Sequence, residues 1–243
     1  SGVQLAVDPA NPLPFASPGP GISLTEQERE FQFLERLNRL EAVQYPNDPA
    51  ILARIKSYEL AFRMQMEVPK LFQFQEEKEN VQKLYGMDNE NTKSFGEVLL
   101  TARRLVERGV RFVQVYHGDG RNQWDAHTDL KKTHSELCAK VDKPIAGLLK
   151  DLKQRGLLDE TLVVWGTEFG RTPGVEGNRG GRDHHPFGFT VWMAGGGIKG
   201  GVVNGATDEL GFHAIENRHY VTDIHATLLH QLGLDPRKLE VPG

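Results

Sequence analysis

The hydrophobic period changes near residue 94, and this constrains the fold more than any other feature of the chain. Before that point the apolar residues recur only at helical spacing; after it, helical and strand patterns alternate. Phe95–Arg108 reads as a helix with Leu99, Leu100, Ala102, Leu105 and Val106 apolar, ended by Gly109 in the position that tolerates left-handed backbone. Val110–Tyr116 reads as a strand. A second helix spans roughly Leu130 to Arg155, carries Val141, Ile145, Leu148, Leu149 and Leu152, and stops at Gly156. Leu162–Trp165 is almost wholly apolar, as a strand buried on both faces must be. Phe189–Ala194 reads as a third strand, and Thr222–Leu232 as a final helix capped by Thr222 or Asp223. Such alternation predicts an α/β domain over 94–243, a mainly parallel sheet with flanking helices. Ligands of such sheets sit at the carboxyl ends of the strands.

Residues 24–93 predict a helical segment packed on that core. Thr25 with Glu28 forms a capping box, and Phe31, Leu34 and Leu37 share a face. Asp48-Pro49 is a second start signal; Ile51, Ile55, Phe62 and Met66 follow near helical period, up to Pro69. A shorter charged helix is expected over Glu76–Tyr85. Pro9, Pro12, Pro14, Pro18 and Pro20 make residues 1–23 an extended arm.

Composition removes several function classes. With 29 basic and 33 acidic residues the formal charge is −4, which gives no basis for a nucleic-acid partner. No apolar run approaches the ~20 residues of a membrane span. Cys138 is the single cysteine, so no intramolecular disulfide exists; its mid-helix position suits a buried structural thiol. Residues 1–20 show neither a basic start nor a long apolar core, and the chain begins with Ser, as a processed product would.

All nine histidines fall between His117 and His230. Polar clusters also accompany each strand pattern. Asp125-Ala-His127 follows the first, with alternating side chains that can face one way in extended backbone. Glu168 and Arg171 follow the second. Arg182, Asp183, His184 and His185 precede the third. Carboxylate and imidazole are the usual ligands of zinc, manganese and related ions. Glu168 reads either as such a ligand or as a partner of Arg171 or Arg182. His134, His213, His219, His225 and His230 stand singly and read as structural or surface groups. Neither a Walker loop nor a Gly-x-Ser-x-Gly elbow is present, and no covalent nucleophile is evident.

Several motifs resemble one bacterial family. These are Leu157–Pro173 (LLDETLVVWGTEFGRTP), Ala102–Gln114, Trp124–His127, Gly181–His184, Ala194–Gly200, Asp223–His230 and, in the helical part, Arg54–Gln65. They resemble the exported proteins grouped as domain of unknown function 1501, common in planctomycetes, over roughly residues 24 to 240. That family in turn resembles the alkaline phosphatase and sulfatase superfamily. The resemblance implies an alkaline-phosphatase-like fold, present in part, and an exported location, periplasmic or at the cell surface. It implies divalent metal, whether zinc, manganese, calcium or magnesium. Asp125, His127, Glu168 and His184 would be ligands, with Asp183 or His185 supplying one that Phe169 has replaced. It also implies that an upstream portion of a longer protein completes the fold and carries the nucleophile.

Two functions follow as expectations. One is a metal-dependent hydrolase of phosphate or sulfate esters, small molecules or polysaccharides, with Arg171 and Arg182 neutralising the anion. The other is a non-catalytic binding or cell-surface protein that keeps the fold without the chemistry.

Overall fold

The computed structural model describes residues 4–6, 21–44, 49, 53, 56–57, 67–118 and 124–239. The chain divides into two compact units, Ser1–Glu79 and Asn80–Gly243. The expected proline-rich arm and the Ile51–Met66 face lie almost entirely outside the described residues; Pro49 itself is helical.

In the first unit, helix α1 spans Leu24–Gln44. Its capping box is Ser23 with Glu26, two residues before the expected pair. The Ser23 backbone N–H donates to Glu26 Oε2 (2.8 Å), and the Glu26 N–H donates to Ser23 Oγ (3.2 Å). Leu34 and Leu37 are exposed on this helix. Helical backbone covers 67–71, two residues past Pro69, and Val68, Leu71, Phe72 and Phe74 are buried.

The second unit is built on helices. After α2 (Glu79–Leu84) come α3 (Glu90–Glu107), α4 (Leu130–Gln154) and α5 (Val221–Gln231). Asn89 caps α3 by accepting from the Asn91 N–H at 2.9 Å. Gly109 and Gly156 follow α3 and α4 in left-handed conformation, as the sequence requires. α3 packs on α4, burying Leu99, Leu100, Leu137, Val141 and Leu152. Burying such a side chain contributes roughly 1.5–3 kcal/mol. Both helices also close on the backbone at Leu84–Tyr85. A Cβ at Gly96 would lie 2.3 Å from the Tyr85 carbonyl oxygen, and one at Gly147 2.4 Å from that of Leu84. Tyr85 is fully buried, and its hydroxyl donates to Asp151 Oδ2 at 2.9 Å. Arg103 Nε lies 3.0 Å from that oxygen, and Arg155 Nε donates to Asp151 Oδ1 at 2.8 Å. Burial, with Asp151 beside it, pushes the Tyr85 hydroxyl far above its ordinary pKa. Cys138 is exposed on α4, not buried.

The parallel sheet expected from the sequence is not formed among the described residues, so the alkaline-phosphatase-like α/β fold is corrected. Among the described residues, strands occur as two-stranded antiparallel pairs. β1 (Val163–Trp165) pairs with β4 (Trp192–Ala194), β2 (Gly170–Arg171) with β3 (His184–His185), and β5 (Ala206–Thr207) with β6 (Ala214–Glu216). A parallel pair needs a long crossover, usually a helix. Residues 166–191 contain no helix and double back through the β2–β3 pair, so β4 returns antiparallel to β1. Val110–Tyr116 joins no ladder, and Val110, Phe112 and Tyr116 are exposed. No helix among the described residues is long and apolar enough to cross a membrane.

Candidate metal centre

Asp125 and His127 lie on the short segment that enters α4. Its start is held by Trp124, whose Nε1 donates to His117 Nδ1 (3.0 Å) and whose carbonyl lies 3.0 Å from His134 Nε2. Its end is held against the loop that leads into β3. The Asp129 N–H donates to the Arg179 carbonyl (2.9 Å), and the Arg182 N–H to the Ala126 carbonyl (3.1 Å). Gly181 makes this approach possible, because a Cβ there would fall 1.8 Å from the His127 carbonyl oxygen.

Three elements thereby meet. Asp125 Oδ1 lies 2.9 Å from His184 Nε2 and 3.0 Å from His127 Nε2. Arg171, opposite His184 in the β2–β3 register, donates from its guanidinium to the same oxygen. Ligand atoms of Asp125, His127 and His184 all lie within 4.8 Å of one another. Zinc bonds of about 2.1 Å in tetrahedral geometry place ligand atoms about 3.4 Å apart, so Asp125 needs to part from each imidazole by only a few tenths of an ångström. Asp125 and His127 are half-buried and His184 is exposed, which leaves the cluster open on one side. Phe169 covers another, its ring centroid 4.5 Å from that of His184 and 5.5 Å from the Arg171 guanidinium carbon.

A second group overlaps the first. His127, Glu176 and Asp183 also bring ligand atoms within 4.8 Å of one another. His127 Nδ1 lies 2.6 Å from Glu176 Oε2 while its Nε2 faces Asp125. A carboxylate on the far nitrogen of a ligating imidazole fixes its tautomer and aims its lone pair. The Glu176 hydrogen bond raises the His127 pKa above its ordinary value; burial opposes it and Asp125 adds to it. For Asp125, burial pushes the pKa up, but hydrogen bonds from His184 and Arg171 outweigh it and hold the carboxyl below its ordinary value.

The other residues singled out in the sequence separate. Glu168 stands outside both groups and pairs with Arg171 at 3.4 Å. Asp183 belongs to the second group, and its Oδ1 accepts from the His184 N–H at 2.7 Å. His185 turns inward, 7% exposed, with Nε2 on the Phe212 carbonyl. The Arg182 guanidinium donates to the Gly181 carbonyl at 2.9 Å. Glu176 was not marked by the sequence: it stands alone between Gly174 and Gly177, and only its backbone pairing with Gly181 brings it to His127.

No curated protein and no solved structure matches the chain. A family model described as a protein of unknown function (DUF1501) matches residues 1–242, and the chain belongs to that family.

Proposed function

We propose that this chain carries a divalent-metal centre that acts on phosphate or sulfate esters. The observation that carries the reading is the convergence of His127, His184 and Arg171 on one oxygen of Asp125. Asp125, His127 and His184 would hold the ion. Two imidazoles and one carboxylate suit zinc or manganese better than calcium or magnesium, which prefer all-oxygen sites. Three protein ligands leave a position open, as in catalytic rather than structural zinc sites. The ion would supply Lewis acidity toward the ester oxygen and a nucleophile at neutral pH. Arg171 supplies a planar guanidinium that matches tetrahedral oxyanions, and it stands beside the ligands. Glu176 keeps Nε2 of His127 aimed at the site, and Phe169 shields one side of it.

A second reading, a binding protein without turnover, is favoured by one observation. The hydroxyls nearest in sequence to Arg171 are already engaged, Thr167 Oγ1 donating to the Phe169 carbonyl and Thr172 Oγ1 to that of Gly174. One experiment separates the readings. The purified chain is incubated with zinc or manganese, desalted, analysed for metal, and assayed with aryl phosphate and aryl sulfate. About one ion per chain with turnover, both lost in His184→Ala, supports the hydrolase. Metal retention without turnover supports the binding protein. No retained metal overturns the metal centre.

A further inference from the structure

We infer that the ester bound at this site carries an apolar, aryl-type group, seated in the cavity between the β1–β4 pair and α5. The inference rests on the metal-and-Arg171 reading above and names its substrate class. The cavity has a volume of about 420 Å³, within the range of small-molecule sites. Val164 and Val191 line it from the β1–β4 side, and Ile224 and Leu228, one helical turn apart, line it from α5. Alternation along β1 turns Trp165 to the opposite face, where it stacks on Trp192 with rings 3° from parallel. The Gln231 amide holds the end of α5 to the Gly196 carbonyl at 2.6 Å.

One side chain joins this cavity to the metal centre. Glu168 lines the cavity, and its carboxylate lies 3.4 Å from Arg171, which in turn bonds Asp125. A ligand with its anionic group at Arg171 would extend past Glu168 into that cavity, whose lining is mostly apolar but also holds Gln114, Thr167 and His225. The anionic group displaces the Glu168 carboxylate from Arg171, and a second anionic group would meet that carboxylate in the cavity, so the fitting ligand is charged at one end and apolar at the other. A uniformly charged polymer does not meet that pattern.

The test uses the full chain loaded with zinc and three probes that are not hydrolysed: inorganic phosphate, methylphosphonate and 1-naphthylphosphonate, each titrated calorimetrically. The naphthyl probe is expected to bind at least about tenfold tighter than the methyl probe, since apolar surface leaves water only in the former. Leu228→Trp and Ile224→Trp fill the cavity from two positions, and circular dichroism checks that each is folded. Either is expected to reduce the preference below about threefold while methylphosphonate binding stays unchanged. Equal binding of the two phosphonates by the wild-type chain overturns this inference alone, and so does a preference that survives both fillings. Failure of all three probes, phosphate included, overturns the anion-binding reading beneath it and this inference with it.

Discussion

Arg171 and His184 face each other across the β2–β3 ladder and both reach Oδ1 of Asp125. Register alone thus sets a cation and a ligand-type imidazole on one carboxylate from a distant segment. If His184 is a metal ligand, His184→Ala removes one of three. Zinc affinity is expected to fall by more than the roughly 10- to 100-fold typical of losing an outer-shell partner. Its side chain is 46% exposed, so the thermal midpoint of the metal-free chain should hardly move. Calorimetric zinc titration with a melting curve checks both; unchanged zinc affinity removes His184 from the centre.

Glu176 gives a pH signature. It raises the folded-state pKa of His127 above the ordinary imidazole value of 6.5. In the metal-free chain, the stability from that ion pair is fully present below about 6.5 and is lost as pH rises through the raised value. Zinc needs the neutral ring, so the signs are opposite: its affinity climbs through the same window, with a proton released. Glu176→Gln should move the midpoint of that climb down toward 6.5. It should also weaken zinc roughly 10- to 100-fold above the window, because the ring loses its orienting partner. Titrations from pH 5.5 to 8.5, about the span over which histidines charge, decide it. A midpoint that stays in place denies Glu176 this role.

The network at Asp151 is a matter of stability. Asp151 is 2% exposed and is engaged by Tyr85, Arg103 and Arg155. Asp151→Asn removes the carboxylate shared by Arg103, 3% exposed, and Arg155, leaves Glu107 as a carboxylate partner of both, and should cost about 3 kcal/mol, the low end for breaking a buried ion pair. Tyr85→Phe removes the hydroxyl that donates to Asp151 and keeps both charges, and should cost about 1–3 kcal/mol. Urea unfolding measures both, and the ordering of the two is the check.

The helices of the second unit were legible because each carries an apolar stripe over three or more turns. α3, α4 and α5 lie within a few residues of the expected spans, and Gly109 and Gly156 end the first two. The sheet was not legible, because an apolar run such as Leu162–Trp165 suits a parallel core strand and a short hairpin strand alike. Pairing depends on the connection, and 166–191 has no helix to carry a crossover. In the site, residue type pointed to Asp125, His127 and His184, but type cannot separate His184 from His185. Adjacent strand residues face opposite sides, and the register in β3 sends one to Asp125 and the other to the Phe212 carbonyl. Glu176 had no signal, since its position depends on a backbone bridge to Gly181.

Arg171 separates metal binding from anion binding. In the metal-free chain it competes with any cation for Asp125, because its guanidinium already donates to Oδ1. Arg171→Met removes that competitor and one positive charge from beside the ion. The site is partly open, with Asp125 40% exposed, so the Coulomb gain is screened and worth about 1 kcal/mol or less. Zinc affinity is therefore expected to rise by up to about fivefold. Phosphate binding to the zinc-loaded chain should move the other way, down by about tenfold, with the loss of a charge-assisted pair of hydrogen bonds. Arg171→Lys keeps the charge but not the planar fork, and should restore phosphate binding only in part. Calorimetric titration of the three proteins with zinc, then phosphate, reads both quantities on the same samples. If Arg171→Met weakens zinc and leaves phosphate unchanged, the guanidinium serves the fold of the β2–β3 pair and not the anion.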